Sequence, residues 1–464
     1  MDANAEIPRK QPLYFVNGPV DFALVGGLSI ALYILVHVLY GSHDPRLDPN
    51  VRTATDPVVR LAQAFLWICN WPHFASTSYR LYHSRDNIKQ YPLTALMIPW
   101  LVLAGVFGSI LYPDSIAPVF ILTFMLWSPY HFSGQTMGVT LIYARRAGFA
   151  IGKTERLALS TFVFGTYLFT TMDSHVKGNT LPPYFGIPVL SLGLPMWLAM
   201  VSEALMYFAG IVFLLCVIRW CIQNRRIVPV IVLLPAVAQF FWFVSSRSWP
   251  TFTEFVPFFH SMQYLLIAWS MQLKEKLDLE TQKPRAPRSS VGWALWGAAT
   301  LGSAVMMFYF LPWPDSLQPL ARVALTAAAF GLYAAASILL NRTAIKPSRH
   351  YVLFETLRWF EMNVFFGALL FYVFPLALSR YGGVKVGLAL GVTAAAVQIH
   401  HFFVDGVIWK LKRKTVSSPL MVNIDDMLYP SPSPNREGVP VPTLAGVGAM
   451  ALQSAPSVSL EQKA

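Results

Sequence analysis

The chain has 464 residues, of which 55% are hydrophobic and only 12% are charged. Soluble domains carry about 25% charged residues, and the apolar residues here are gathered in runs of about 20, the length that spans a bilayer as a helix. The composition therefore excludes an ordinary soluble protein and predicts an all-α, polytopic integral membrane helical bundle. The net charge of +12 does not indicate nucleic-acid binding, because the basic residues form short clusters between apolar runs, as helix anchors do.

Twelve membrane spans are predicted in chain order, joined by short connections. Residues 1–19 precede this transmembrane domain of residues 20–414, and a tail at 415–464, rich in Pro, Ser and Val, is predicted to be disordered. The predicted spans are 20–40, 57–78, 91–112, 116–142, 156–173, 196–218, 226–246, 253–272, 291–313, 318–340, 351–378 and 385–409.

The distribution of Lys and Arg predicts the orientation of these spans. With the N-terminus in the cytoplasm, the connections on that side carry roughly three times as many basic residues as those on the other side, and the bias agrees loop by loop. Arg146 and Lys274 are among these cytoplasmic anchors. Both termini are therefore expected in the cytoplasm, and the expected location is the bacterial inner membrane.

The last span contains the densest group of polar side chains within an apolar run. His400, His401 and Asp405 lie there, just before a basic anchor. Such groups are expensive in hydrocarbon, so they usually face the interior of a bundle and serve a function there. Asp405 follows His401 by one helical turn on the same face. Its carboxylate can therefore orient the imidazole or share a metal with it.

Three other spans carry a histidine in a similar setting, each with a proline one to three residues upstream. Proline is expected to kink a span and to give a site room. At ~1.5 Å per residue, all the histidines lie roughly 10–21 Å from the next basic anchor, and therefore at similar depth. They can converge on one metal if their spans are neighbours. The candidate metal ligands are His73, His131, His260, His400 and His401.

Two glutamines lie close to these histidines in sequence. Gln135 follows His131 by one turn, and Gln263 shares a face with His260. A glutamine can hold a ring N–H and so determine which nitrogen is free for a metal. Gln135, Gln263 and Asp405 are therefore the predicted catalytic residues around the metal. The alternative for each histidine is a hydrogen bond that joins neighbouring helices.

Several neutral imidazoles with one carboxylate suit iron(II), copper or zinc. No cysteine lies near these residues, which argues against iron–sulfur and blue-copper centres. The lipid setting suggests an apolar substrate, whose unactivated C–H or C=C bonds need a strong oxidant. The leading hypothesis is a non-haem iron oxygenase, hydroxylase or desaturase that acts on a lipid or isoprenoid. Its expected partners are membrane lipids and an apolar small molecule.

Three motifs carry a resemblance to known proteins. They are Pro72-His73-Phe74, Tyr130-His131-Phe132 with Gln135 and Gly138, and His400-His401 with Asp405-Gly406 and Ile408-Trp409-Lys410. Together they resemble a group of bacterial polytopic membrane proteins, and this resemblance implies no activity. The distribution of histidines over several spans, though not the local motifs, is similar to that of membrane β-carotene dioxygenases, which hold a non-haem iron with four histidines.

Two other classes of function stay open. Twelve spans with both ends inside suit a transporter, in which histidines relay protons or bind the substrate. Polar groups that only pack helices would instead indicate a structural or assembly protein of the membrane.

Overall fold

The structure is a computed structural model that describes residues 13–40, 62, 65–282, 328, 331, 349–409 and 420–421. Within these ranges the secondary structure is helical, and β-pairing is limited to two isolated bridges in the loop between Val176 and Leu194. The expectation of an all-α protein is confirmed.

The described α-helices are numbered here in chain order. They are α1 (Gly18–Phe22), α2 (Leu28–Tyr40), α3 (Trp71–Tyr82), α4 (Arg85–Gln90), α5 (Ile98–Leu111), α6 (Ile116–Arg146), α7 (Lys153–Ser174), α8 (Met196–Asn224), α9 (Val230–Phe243), α10 (Pro250–Thr253), α11 (Val256–Gln282), α12 (Arg349–Ala368), α13 (Phe374–Gly382) and α14 (Val386–Ile408). A short 3₁₀-helix covers Ser245–Ser248, and π-helical turns cover Ala23–Gly27, Leu66–Asn70, Leu93–Met97 and Leu369–Val373.

Seven helical stretches of the described residues are long and apolar enough to cross a membrane. They are Gly18–Leu39, Leu93–Leu111, Ile116–Arg146, Met196–Asn224, Val230–Arg247, Glu355–Gly382 and Val386–Ile408. This supports an integral membrane protein, whereas the predicted count of twelve spans is not confirmed.

The other five predicted spans divide into two groups. Those at 57–78, 156–173 and 253–272 fall wholly or partly on α3, α7 and α11. Helix α3 is shorter than the seven stretches, whereas α7 and α11 are long enough but less apolar. Both α3 and α11 carry polar side chains described below, which lower their hydropathy. The spans predicted at 291–313 and 318–340 lie, apart from residues 328 and 331, outside the described residues.

The three prolines that precede histidines play different parts. Pro257 lies in the first turn of α11, where a missing N–H costs no helical hydrogen bond. Pro72 lies in the first turn of α3, but the π-helical turn Leu66–Asn70 runs directly into this helix, so Pro72 is within a continuous helical stretch. Pro129 is inside α6, which continues through it to Arg146. Pro257 therefore begins a helix instead of kinking one, whereas Pro72 and Pro129 lie within helical stretches.

The helices that carry the candidate histidines pack against each other. Helix α14 packs against α3, α5 and α6, and α11 packs against α3 and α6. The far side of α3 is covered by α12, where a Cβ on Gly367 would come within 2.6 Å of the Trp71 backbone. Glycine at this position therefore allows the two backbones to touch, which fixes the start of the helix that carries His73.

Buried polar side chains near the end of α6 connect the first described residues and Leu420 to the helical bundle. Asp21 accepts hydrogen bonds from the Phe15 and Val16 N–H groups, at 2.6 and 2.9 Å, and from the Tyr143 hydroxyl, at 2.7 Å. Arg146 donates from all three guanidinium nitrogens to the carbonyls of Leu13, Tyr14 and Leu420, at 2.5–3.1 Å. The residues Asp21, Tyr143 and Arg146 are called the clasp below.

The clasp departs from two expectations of the sequence. Arg146 and Lys274 are expected at the membrane surface, but their exposed fractions are 5% and 1%. Leu420 and Met421 belong to the tail expected to be disordered, yet Leu420 is fully buried and Met421 packs against the same core. The burial of Arg146 and that of Leu420 have one cause, since the guanidinium is covered by the chain segments whose carbonyls it binds.

Candidate metal centre

Four side chains from three helices converge inside the bundle. His73 comes from α3, His131 from α6, and His401 and Asp405 from α14. The His401 Nε2 atom lies 2.8 Å from His73 Nε2 and 3.0 Å from His131 Nε2. The Asp405 Oδ2 atom lies 3.4 Å from His401 Nε2 and 3.6 Å from His131 Nε2. All four potential ligand atoms lie within 4.8 Å of one another.

These separations match the spacing of ligands around one cation. Nitrogen and oxygen ligands bind transition metals at about 2.0–2.2 Å, so ligand atoms 90–110° apart are about 2.8–3.6 Å from each other. Four of the six distances among these atoms span this range, and the two others, from His73 to His131 and to Asp405, are at most 4.8 Å. The site is also dry, since His73 is fully buried and the His131 and Asp405 side chains are only 9% and 7% exposed. The residues present therefore fit a metal held by three histidines and one carboxylate.

The second carboxylate oxygen of Asp405 is held by neighbouring side chains. Trp409 Nε1 donates to Oδ1 at 3.2 Å, and the Thr77 and Tyr264 hydroxyls lie 3.3 and 3.4 Å from the same atom. The two hydroxyls are themselves 2.5 Å apart. This arrangement directs Oδ2 towards the imidazoles, as outer hydrogen bonds commonly do for metal-binding carboxylates.

Sequence reasoning assigned no role to Thr77 or Trp409. The available signal was helical spacing, because Thr77 follows His73 by four residues and Trp409 follows Asp405 by four. Polar side chains one turn from a candidate ligand share its face. Tyr264 shares the His260 face in the same way, but only the structure shows that it reaches Asp405.

His260 lies beside the four converging residues without joining them. Its ring centre is 5.1 Å from that of His73 and 5.2 Å from that of His131, and it stacks on Phe132 at 3.7 Å. Neither ring nitrogen has a hydrogen-bond partner among the described residues. A buried polar group without a partner costs about 1–3 kcal/mol. The structure thus places His260 next to the site with both nitrogens available.

The His400 side chain points away from the other histidines, although the sequence predicts both His400 and His401 as metal ligands. Its Nε2 atom lies 3.1 Å from the Tyr82 hydroxyl, and its ring stacks on Tyr82. Consecutive residues of a helix face directions about 100° apart at 3.6 residues per turn, so only one of the pair can face the other histidines. His400 is therefore outside the candidate metal centre.

The two glutamines also make contacts other than the predicted ones. Gln135 donates through Nε2 to the His260 carbonyl, at 2.8 Å, and Gln263 donates to the Val25 carbonyl. Within the described part of the chain, neither glutamine makes a hydrogen bond to a histidine ring nitrogen. Both side chains instead hold α11 in place, Gln135 against α6 and Gln263 against the π-helical turn between α1 and α2.

A cavity of about 300 Å³ adjoins the converging side chains, at the lower end of the roughly 300–1,000 Å³ typical of small-molecule sites. His131 and Asp405 form part of its wall. Most of the remaining wall is aromatic, aliphatic or glycine, from α6, α11 and α14. The arrangement therefore combines a metal-ligand set with an apolar space that reaches two of its members.

Comparison of the chain with protein-family models, with curated proteins and with solved structures finds no match in any of the three.

Proposed function

We propose that the chain is a non-haem iron enzyme of the membrane that oxidises an apolar lipid or isoprenoid substrate. The observation that supports this most directly is the spacing of His73, His131, His401 and Asp405, which suits ligands of a single cation. The cavity beside His131 and Asp405 supplies a place for the substrate.

The ligand types favour iron over other metals. Imidazole alone suits iron, copper and zinc, whereas histidines combined with one carboxylate and open positions are typical of iron(II) sites that use dioxygen. When bound, iron would activate dioxygen, which is the oxidant that an unactivated C–H or C=C bond needs. The tyrosines and tryptophans around the site exclude water, which protects a reactive centre from side reactions.

The chain's own residues have separate tasks in this proposal. The three histidines and Asp405 bind the metal, and Thr77, Tyr264 and Trp409 hold Asp405 in position. The cavity wall orients the substrate beside His131. His260, with two ring nitrogens that lack partners, lies close enough to take or give a proton at the site.

A structural role is the second candidate, and it too has a specific observation in its favour. Separations of 2.8 and 3.0 Å between ring nitrogens also fit direct N–H···N hydrogen bonds that join α3, α6 and α14. In this case no metal would bind, and the histidines would contribute to helix packing alone.

Anaerobic titration with iron(II), followed by nitric oxide, separates the two candidates. Iron with an open position should give the electron paramagnetic resonance signal of a high-spin iron–nitrosyl complex in the wild-type protein. The same signal is expected in His400→Gln, because His400 faces Tyr82 and not the other histidines. His401→Gln should give no such signal. A wild-type protein without the signal, or an undiminished signal in His401→Gln, would contradict the proposed function.

A further inference from the structure

The cavity beside the candidate metal centre is an elongated trough between three helices. On α6 its wall follows one helical face from Trp127 through His131 and Gly138 to Ile142, which is about 22 Å at 1.5 Å per residue. On α14 it runs from Phe402 to Trp409, about 10 Å on the same basis. A volume of about 300 Å³ spread over this length is narrow, so its shape suits a chain and not a compact solute.

Glycines on two helices give the trough its width. A Cβ on Gly134, Gly138 or Gly406 would meet no atom within 4 Å, and all three residues line the cavity. The glycines are therefore not required for close helix packing at these positions. Their effect is to leave open space that any larger side chain would fill.

The trough opens sideways between α6 and α14. Gly134 and Gly406 are exposed, as is Tyr130 one turn before Gly134. Both helices are among those long and apolar enough to cross a membrane. In a membrane, an opening between two such helices would face lipid, and a hydrophobic molecule would enter from the bilayer without crossing water.

We infer that this trough binds a single extended hydrocarbon chain, with one carbon of that chain held beside His131 and Asp405. The inference rests on the proposed function and adds the form of the substrate. His131 lies about 6 Å from the Trp127 end and about 16 Å from the Ile142 end, at 1.5 Å per residue. The reacting carbon is therefore inside the chain and not at its tip, with the longer part lying towards the C-terminal end of α6.

Photochemical labelling in lipid nanodiscs tests the inference. The probes are a fatty acid and a geranylgeraniol, each carrying a diazirine within its chain, and peptide mapping locates the labelled residues. We expect labels on the trough-lining faces of α6 and α14 with at least one of the probes. The more efficient probe identifies the natural chain as acyl or polyprenyl.

Three variants make the result specific. Gly138→Leu fills the trough without changing any of the four candidate metal ligands. It should reduce this labelling about tenfold or more, because the leucine side chain occupies the space of the hydrocarbon chain, and overpacking costs enough free energy to weaken binding by that factor. Gly138→Ala changes helix propensity with little loss of space and should label nearly as wild type does. Ala204→Leu adds a side chain on the exposed face of α8 and should have no effect.

Metal content measured on the same samples separates this inference from the proposed function. Labels confined to the outer faces of the helices, or labelling that Gly138→Leu leaves unchanged, would overturn the inference even in a protein that binds iron. Labelling of the trough in a protein that binds no metal would support the chain-binding site and contradict the proposed function.

Discussion

The molecule contains two buried groups of polar side chains whose hydrogen bonding differs. In the clasp, each carboxylate and guanidinium atom of Asp21 and Arg146 has a backbone or hydroxyl partner. In the candidate metal centre, three Nε2 atoms and one carboxylate oxygen point at each other. The outer Nδ1 atoms of His73 and His401 have no hydrogen-bond partner in the described part of the chain.

We propose that this difference separates a structural polar group from a metal-binding one. A buried charge whose every nitrogen or oxygen atom is hydrogen-bonded within the chain stabilises one arrangement of that chain. In the proposed metal centre the three Nε2 lone pairs and the carboxylate oxygen converge on a common point, where a cation satisfies all four of them together. Burial alone would not distinguish the two regions, because both contain buried polar side chains.

The largest expected effect is on metal binding at the converging side chains. His401→Gln should lower the metal content of folded protein at least 100-fold, because an amide is a much weaker ligand than imidazole for iron or copper. Elemental analysis of the monodisperse protein measures this. Since Asp405 Oδ2 faces two of the histidines, Asp405→Asn should resemble His401→Gln. An asparagine variant that keeps most of its metal would show that the carboxylate only orients His401.

The clasp should respond in stability instead. Arg146→Ala leaves the carbonyls of Leu13, Tyr14 and Leu420 without their partner, and each buried unpaired group costs about 1–3 kcal/mol. We expect thermal unfolding in detergent at a clearly lower temperature, with metal per folded molecule unchanged. Arg145→Ala, on the adjacent exposed arginine, is the matched control. Loss of metal in folded Arg146→Ala would break the distinction between the two regions.

A smaller effect is expected where a side chain supports Asp405 without reaching the metal. Trp409→Phe removes the N–H that donates to Oδ1 and keeps an aromatic ring in place. Loss of such an outer hydrogen bond typically costs about 10–100-fold in metal affinity. Competition with a chelator of known affinity measures the change. An affinity equal to wild type would show that Thr77 and Tyr264 hold the carboxylate without the tryptophan.

The smallest effect is expected at the neighbouring histidine. His400→Gln should leave metal content and affinity unchanged, because its ring faces Tyr82 and not the other histidines. His400→Gln and His401→Gln are well-matched variants, since both change a histidine to glutamine at adjacent positions of the same helix. A His400→Gln protein that loses metal would require α14 to be rotated from its position in this structure.

The sequence alone identified candidate residues that include all four members of the site, but it did not show which candidates come together. His73, His131, His401 and Asp405 were identifiable because polar groups are rare within apolar runs. The choice between His400 and His401 depends on the rotation of α14, which neighbouring helices determine. The partner of Gln135 is a carbonyl on α11, 125 residues away, and local spacing contains no information about such a contact.

The basic residues show a similar limit. Lys and Arg beside apolar runs predict membrane anchors, and this rule treats Arg145 and Arg146 alike. In the structure Arg145 is exposed, whereas Arg146 is buried by the N-terminal segment and by Leu420. Which of two adjacent arginines is buried depends on segments that pack there from distant parts of the chain. The all-helical fold itself needed only composition and hydropathy.

Metal stoichiometry per folded molecule tests the central claim most directly. The protein should be purified in detergent after growth with added iron, and its metals measured by elemental analysis together with those of His401→Gln and His400→Gln. The account predicts about one iron per chain in wild type and in His400→Gln, and almost none in His401→Gln. Wild-type protein that binds no metal even after anaerobic loading, or equal metal in all three proteins, would contradict it.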